Sequence, residues 1–500
     1  MRCSRFVHLL IPVFVGLGLA CGDNPALRQR FEAERLHWEG QRLLRQAQAK
    51  PESARLADRA AAADHFEQAV QISVGALAQL EAGKYPDEIP QLQYIAFQSA
   101  LRLSQLHFGA RRYDSSAAIL KYLLDRVDLN RQQAMTTRYN LGQSLQSGGQ
   151  WDSALAIYDA LLADFYPPVD DSGRVVPELM DLPFNIWRIS RAVDDGAAPK
   201  RLASAEQYYK DLVGDRRTPR LERAARHNLA KLYDATDQFD RVLTQLNALL
   251  DPSLETYYTL RLSIADILAI RMERPDTAIL LYTDLLNDLG PEDTLIRPRV
   301  LHQTALARMQ KRQYDQARQL LVTIKRDYPF YYRITPSAQW AMAETFENQG
   351  NFDRAETEYR FLIEKYRGSE QALAVHLHLA DHYENLGRTA EASRWRQLAA
   401  ETCQELAIHG SSPHQQARAL FWQARLAQQQ GDWAQSAEIL TGLFERFPDT
   451  EVARRGLLRA ADIYRNRLDR PGQADSLMMT MRAALARADI WPDENADPLE

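Results

Sequence analysis

Apolar residues recur along most of the chain at the three- and four-residue spacing that places them on one face of an α-helix. A short recurring motif interrupts this pattern. It consists of an aromatic residue, usually followed by Asp, with Ala or Ser two or three positions later. It begins at Tyr113, Trp151, Phe239, Tyr314 and Phe352, and in weaker form at Pro275, Thr389, Trp433 and Pro471. From Phe239 onward the steps are 36, 39, 38, 37, 44 and 38 residues. Such regularity indicates an internal repeat.

Each repeat is predicted to be an antiparallel pair of amphipathic helices, because apolar residues at helical spacing lie on both sides of the recurring motif. The Asp after the aromatic residue is expected to cap the second helix through its carboxylate. Glycines precede several of these turns, where a left-handed residue would end the first helix. The glycines concerned are Gly149, Gly350, Gly387 and Gly431.

The offsets within a unit resemble the tetratricopeptide repeat, as in Leu141, Gly142, Leu145, Ala154 and Tyr158, or Met342, Ala343, Phe346, Ala355 and Tyr359. The resemblance implies an all-α solenoid of about ten antiparallel helix pairs over residues 91–488, with an insertion at 166–182. Residues 21–90 would hold an anchor cysteine and a divergent first pair, and residues 489–500 an acidic tail.

The repeat step, near 38 residues instead of the usual 34 or so, narrows this resemblance. Several second helices also end in an aromatic residue followed by Pro, as at Tyr328-Pro329 and Phe447-Pro448. Both features are similar to the repeat lipoproteins of outer-membrane assembly and of the Tol-Pal system. Members of those families are shorter than this chain, so the likeness favours an envelope scaffold without identifying a particular machine.

Residues 1–20 are predicted to be a signal peptide, since Arg2 and Arg5 precede an apolar stretch too short to span a bilayer, which takes roughly 20 apolar residues. Residues 17–21, Leu-Gly-Leu-Ala-Cys, resemble the lipobox of bacterial lipoproteins, although Gly18 stands where that family prefers Leu. The resemblance implies lipidation of Cys21, and Gly22 after it favours the outer membrane, facing the periplasm. Secretory cleavage near Ala20, or an uncleaved anchor, are the other interpretations.

Composition narrows the choice of partners. The chain is 45% hydrophobic and 25% charged with a net charge of −5, which is ordinary for a folded protein. Nucleic acid is not an expected partner, because no long run of Lys or Arg is present. Removal of Cys3 with the signal and lipidation of Cys21 would leave Cys403 alone, so no internal disulfide is expected.

No enzyme or cofactor is predicted, because the chain has no Gly-rich phosphate loop, no Gly-x-Ser-x-Gly elbow and no Cys-x-x-Cys pair. One constellation requires an argument. His378 and His382 lie four apart and could share a metal in a metal-dependent hydrolase, yet such a site needs a third ligand. A solvated helix face explains the two histidines more simply.

A partner groove is predicted from helical geometry, on the stripe of each first helix that the repeat does not use for packing. In the repeat family this stripe lines the concave surface. Its residues here are Tyr139, Gln143, His227, Lys231, Trp340, Glu344, Glu347, Asp381 and Glu384. The acidic members beside Trp340 suggest a basic or Arg-bearing partner segment. Ordinary solvated polarity is the competing explanation.

Two loops depart from the repeat. The insertion at residues 166–182 is either part of a binding face or a tolerated flexible loop. The aromatic stretch at residues 328–332 is either an exposed ligand patch or, as we expect, packing between consecutive pairs.

The sequence therefore predicts a membrane-anchored scaffold of the bacterial envelope that binds proteins and catalyses no reaction. The main alternative is a glycan-binding outer-membrane lipoprotein of the starch-utilisation type, which also contains helical repeats. Proteins of that type interrupt their repeats with long loops, whereas the steps here are regular. The metal-dependent hydrolase is the weaker alternative.

Overall fold

The computed structural model describes residues 25–48, 50, 52–80, 85–170, 172–193, 196–214, 219–448 and 450–487. The predicted signal peptide, Cys21 and the acidic tail lie outside these residues. Within them the secondary structure is helical, apart from an isolated bridge between Val169 and Val175. None of the helices in the described part is both long and apolar enough to cross a membrane.

The described residues form twenty-two α-helices, joined mostly by short turns. In chain order they are α1 Pro25–Gln48, α2 Glu52–Gln79, α3 Glu88–Gly109, α4 Tyr113–Arg126, α5 Arg131–Ser147, α6 Trp151–Asp164, α7 Pro177–Ala192, α8 Ala198–Gly214, α9 Pro219–Asp234, α10 Phe239–Ala248, α11 Tyr257–Asp266, α12 Pro275–Asp288, α13 Arg297–Gln310, α14 Tyr314–Asp327, α15 Thr335–Glu347, α16 Phe352–Lys365, α17 Glu370–Asn385, α18 Thr389–His409, α19 Pro413–Gln429, α20 Trp433–Arg446, α21 Glu451–Asn466 and α22 Pro471–Arg487. A π-helical turn, Ile267–Arg271, extends α11. The predicted all-α fold is confirmed.

The described chain divides into two compact units, one within residues 25–205 and the other within residues 206–484. In the first unit α1 packs on α2, α3 on α4 and α5 on α6. In the second unit each first helix from α9 to α19 packs on the second helix that follows it. The first helices α13, α15, α17, α19 and α21 also contact one another in order, so each unit is a stack of antiparallel pairs.

Small residues let the two helices of a pair approach closely, as the repeat pattern predicts. A Cβ placed on Gly142 would collide with the ring of Tyr158 on the facing helix. In a later pair Ala343 is fully buried, and so is the facing Tyr359. The large ring fills the space that the small residue leaves, so the seam is close-packed.

The predicted left-handed residues at the turns are confirmed: Gly149, Gly350, Gly387 and Gly431 have φ of 81°, 78°, 72° and 81°. After Gly149, the amide of Gln150 donates to the carbonyl of Leu145 at 2.9 Å, which closes the first helix. Five other turns place a non-glycine residue at the same position. These residues are Arg111, Asp237, Glu273, Arg312 and Asp469, with φ between 53° and 58°.

The prediction that the Asp after the aromatic residue caps the second helix is wrong. Where a side chain does cap a second helix, it belongs to the residue before the aromatic one, Asn351 or Asp432. The second helix begins at the aromatic residue itself, so Asp114 and Asp152 lie within the first turn, and no side-chain cap bond forms there. A carboxylate in the first turn still favours the positive end of the helix dipole. Asp114 instead accepts a hydrogen bond from Gln150 of the next pair at 3.0 Å.

The insertion is shorter than the predicted span of residues 166–182, because α7 already begins at Pro177. Its loop is ordered by Asp170, whose carboxylate accepts from the amide and hydroxyl of Ser172 at 2.9 and 2.6 Å and from the amide of Arg174 at 2.9 Å. These bonds hold the pKa of Asp170 at about 2.

Candidate functional site

Aromatic and ionisable side chains gather in the second unit around α15 and α17, on the side of the stack that the first helices of the pairs form. We call this side the first-helix face. Trp340, Glu344 and Glu347 come from α15, Tyr359 from α16 and His378 from α17; we call these five residues the Trp340 cluster. The Trp340 ring lies 5.3 Å from that of Tyr359 and 5.5 Å from that of His378, and the last two rings are 5.0 Å apart. Tyr359 is fully buried and the other four are half-buried.

Glu347 is paired inside the protein. Its Oε2 accepts from the Tyr359 hydroxyl at 2.7 Å and lies 2.8 Å from Nε2 of His378. Burial alone would raise the pKa of Glu347, but the bonds from His378 and Tyr359 lower it. Burial alone would lower the pKa of His378, but the bond to Glu347 and its charge raise it, which favours a charged pair.

Glu344 is the carboxylate of the cluster that remains available. Burial raises its pKa, although Trp340 donates a hydrogen bond to it and His378 lies nearby. Among the described residues no salt bridge involves Glu344. A half-buried carboxylate without a salt bridge gains from a cation that a ligand brings, because the carboxylate has already lost part of its hydration.

The other two acidic positions of the predicted stripe belong to α17, and both are exposed. Asp381 accepts a hydrogen bond from Gln429 of α19 at 2.8 Å. Glu384 forms a salt bridge with Arg396 of α18 at 2.6 Å. Helix geometry alone suggested an uninterrupted row of four free carboxylates, and the structure does not show one. Neighbouring helices pair Glu347 and Glu384 with a basic side chain and donate a hydrogen bond to Asp381.

The remaining predicted stripe residues lie on other helices. Tyr139 and Gln143 are half-buried on α5 of the first unit, with the Tyr139 ring 6.3 Å from that of Tyr158. His227 and Lys231 are half-buried on α9 of the second unit. The structure therefore links the stripe residues of α15 to α17 through His378, whereas Asp381 and Glu384 of α17 contact α19 and α18.

The two histidines of the metal hypothesis have other contacts. His378 is bonded to Glu347, and the ring of His382 stacks on that of Phe352 with centroids 3.2 Å apart. Burial lowers the pKa of His382. Across the described ranges no group of three His, Cys, Asp or Glu side chains is arranged to hold a metal ion. The contacts of these histidines are those of packing and of the Glu347 pair.

Sequence reasoning missed the role of Tyr359 and His378 in fixing Glu347. One signal was present: Tyr359 follows Glu347 by twelve residues, and Tyr158 follows Gln146 by the same step and donates to it at 2.9 Å. In both pairs a tyrosine on the second helix therefore donates to a polar side chain near the end of the first helix of the same pair. The His378 contact comes from the next pair and has no comparable local signal.

The aromatic stretch at residues 328–332 has two parts. Tyr328 is buried and its hydroxyl donates to the carbonyl of Pro291 at 2.9 Å, as packing between pairs predicts. Phe330 and Tyr332 are 79% and 66% exposed, so the packing interpretation is wrong for these two rings. The turn after α14 directs them away from the core that Tyr328 and Ile334 enter.

The tetratricopeptide repeat family model matches residues 136–167 and 418–450, which fall on α5–α6 and α19–α20. Comparison with curated proteins finds no match. Together with the paired-helix geometry, the family match identifies a fold of tetratricopeptide type, and none of these comparisons indicates an enzyme family.

Several solved structures resemble the chain at low identity and low TM-score. A tetratricopeptide repeat protein from Parabacteroides merdae is 17% identical over 55% of this chain and 98% of its own, with a TM-score of 0.32. Yeast Tom70 is 12% identical over 91% and 97%, with a TM-score of 0.36. The quorum sensor NprR of B. thuringiensis is 12% identical over 71% and 99%, with a TM-score of 0.35.

Proposed function

We propose that this protein is a scaffold of the bacterial cell envelope, anchored by a lipid on Cys21, that binds another protein along the first-helix face of α15 and α17. The observation that carries the binding role is Glu344, a half-buried carboxylate beside Trp340 with no salt bridge among the described residues. Protein binding is also the usual role of stacked helix repeats, an argument from fold analogy.

The partner is proposed to supply a basic segment, with one Arg at the Trp340 cluster. A guanidinium there could lie against the Trp340 ring and pair with Glu344, which combines a cation–π contact with a charge-assisted hydrogen bond. Glu347 would contribute little, because Tyr359 and His378 already occupy its carboxylate. Asp381 is exposed and offers a second, weaker contact for a positive charge.

The envelope setting rests on the sequence before the described residues. Arg2 and Arg5, the apolar stretch and the lipobox-like segment ending at Cys21 support export and lipidation. Gly22 supports an outer-membrane position facing the periplasm. Two acyl chains on Cys21 would suffice for stable anchoring.

The binding role is tested by replacing Glu344 with Gln in the full chain and measuring recovery of the partner that crosslinks to the wild type in native membranes. We expect recovery to fall by on the order of ten-fold, since a partner charge would lose its desolvated counter-ion. Glu364→Gln is the matched control, because Glu364 is exposed on the second helix α16. Equal recovery with Glu344→Gln and Glu364→Gln would overturn the assignment of the groove.

A further inference from the structure

Two neighbouring loops of the second unit expose large apolar side chains together. One loop, residues 289–296, joins α12 to α13, and the other, residues 328–334, joins α14 to α15. Phe330 at 79% and Leu295 at 72% have the highest exposed fractions among the large hydrophobic side chains that the structure describes, and Tyr332 is 66% exposed. The Tyr331 hydroxyl donates to the carbonyl of Leu295 at 3.3 Å and so joins the two loops. We call Leu295, Phe330 and Tyr332 the aromatic edge.

The loop that carries Leu295 is held in place by hydrogen bonds. The Asp293 carboxylate accepts from the amides of Leu295, Ile296 and Arg297 at 3.0, 2.7 and 3.1 Å. The Arg297 guanidinium donates to the carbonyl of Leu286 at 2.7 Å and also to that of Leu289. Leu295 is thus presented to solvent by a backbone that its neighbours fix.

The loop that carries Phe330 and Tyr332 is anchored at both ends. Tyr328 is 5% exposed and donates to the carbonyl of Pro291, and Ile334 is 5% exposed. Both anchors belong to the close-packed core of the second unit, so the loop that exposes Phe330 and Tyr332 is fixed at both ends.

The charges around the aromatic edge favour an anionic surface. Asp293 is occupied by backbone amides, and Asp327 pairs with Arg326 at 2.6 Å. Arg333 is exposed directly after Tyr332, and Arg299 is half-exposed four residues after Leu295; neither forms a salt bridge among the described residues. Glu292 is the opposing exposed acid. Close in sequence to the aromatic edge, two guanidiniums without a salt bridge therefore outnumber the exposed carboxylate of Glu292.

The size of the aromatic edge favours a bilayer over a protein partner as its occupant. A stable protein interface needs about 800 Å² from each partner, which three loop side chains fall well short of. A bilayer interface needs only shallow insertion of apolar and aromatic side chains, with Arg at the level of the headgroups. Phe, Tyr and Leu at two loop tips, flanked by Arg, have that composition.

We propose that the aromatic edge docks on a lipid surface: Leu295, Phe330 and Tyr332 enter the headgroup region of a bilayer that contains anionic lipid, and Arg299 and Arg333 contact its phosphates. This contact is independent of lipid on Cys21 and of the Trp340 cluster. It would hold the second unit against the membrane surface through its own loops.

A dye placed at residue 330 tests this contact directly. Phe330→Cys is made in the full chain with Cys3→Ser and Cys21→Ser, and labelled with an environment-sensitive maleimide dye. Cys403 stays unlabelled, because burial raises its pKa to about 12. Leu280→Cys is the matched control, since Leu280 is 71% exposed on α12. The apolar segment at residues 6–19 can tether every variant to vesicles alike, so only the local environment of the dye is compared.

In vesicles of phosphatidylethanolamine and phosphatidylglycerol, the dye at residue 330 should shift to the blue. Lipid with a nitroxide on its headgroup should quench it at least two-fold more than the dye at residue 280. Arg299→Gln combined with Arg333→Gln should lower that quenching, and vesicles of phosphatidylcholine alone should give less of it. A solvent-like dye at residue 330 in both kinds of vesicle would overturn the proposal.

Two other results would also overturn the proposal, and each points to a different occupant. A blue shift without vesicles that grows with protein concentration would assign the edge to a second copy of this chain. A blue shift that requires the crosslinked partner and no lipid would assign it to that protein. Neither result, nor the loss of docking, would bear on lipidation of Cys21 or on the role of Glu344.

Discussion

At the scale of residues, the Trp340 cluster shows how the same side chain type acquires different roles from its surroundings. Glu344 and Glu347 are one helical turn apart on α15, and both are half-buried. Glu347 receives hydrogen bonds from Tyr359 and His378, which lower its pKa, whereas burial raises that of Glu344. Glu347 is therefore held by contacts inside the protein, and Glu344 is left for a ligand.

The His378–Glu347 pair should make stability depend on pH. Since the folded-state pKa of His378 is raised, its contribution is complete below the unfolded pKa of about 6.5 and is lost as pH rises through the higher folded value. The loss should be about 1 kcal/mol, because both side chains keep solvent contact. Thermal unfolding between pH 6 and pH 9 measures it.

His378→Gln should remove this pH dependence, and His409→Gln should not, because His409 is exposed at the end of α18. Glu347→Gln should act as His378→Gln does and should also lower the pKa of His378, which NMR titration of the imidazole measures. A wild-type profile that already matches that of His378→Gln would contradict the charged pair.

At the scale of elements, the turn between the two helices of a pair depends on one left-handed residue. Gly350 has φ of 78°, a conformation that a Cβ makes costly. Gly350→Ala should therefore lower the free energy of unfolding by about 1 kcal/mol, measured as a shift in the midpoint of thermal unfolding.

Gly442→Ala provides a control of opposite sign. Gly442 lies inside α20, and apart from its chain neighbours and the backbone of its own helix no atom stands within 4 Å of where its Cβ would be. The same substitution should therefore stabilise by up to about 1 kcal/mol through helix propensity. Two shifts of the same sign would show that the turn conformation does not decide the effect.

Local pattern predicted the pairs, the close-packed seam and the turn glycines, because each depends on residues within one repeat. The Asp cap was wrong because only one residue, such as Gln150 before α6 with φ of −89° and ψ of 65°, separates the left-handed residue from the helix, which therefore starts at the aromatic residue. The contacts of the acidic stripe could not be predicted. Glu347 meets His378 31 residues later and Asp381 meets Gln429 48 residues later, across pairs whose rotation the sequence does not specify.

At the scale of the whole molecule, the proposed role combines an anchor, a binding face and a loop contact with lipid. Lipidation is tested by metabolic labelling with a radioactive fatty acid in the cells that produce the protein. We expect label on the wild-type chain and none on Cys21→Ala, whereas Cys403→Ala should label fully because Cys403 is buried. Equal labelling of the wild type and Cys21→Ala would contradict anchoring at this residue.

The central claim is that a protein partner lies on the first-helix face beside Glu344. A photo-crosslinking amino acid at residue 348 tests it most directly, because Asn348 is exposed one helical turn after Glu344 and the substitution keeps Glu344 itself. The same amino acid at the exposed position 280 on α12 is the comparison. In native membranes the account predicts one or a few discrete protein adducts from residue 348 and none of them from residue 280. Identical adduct patterns from the two positions, or no protein adduct from residue 348, would contradict it.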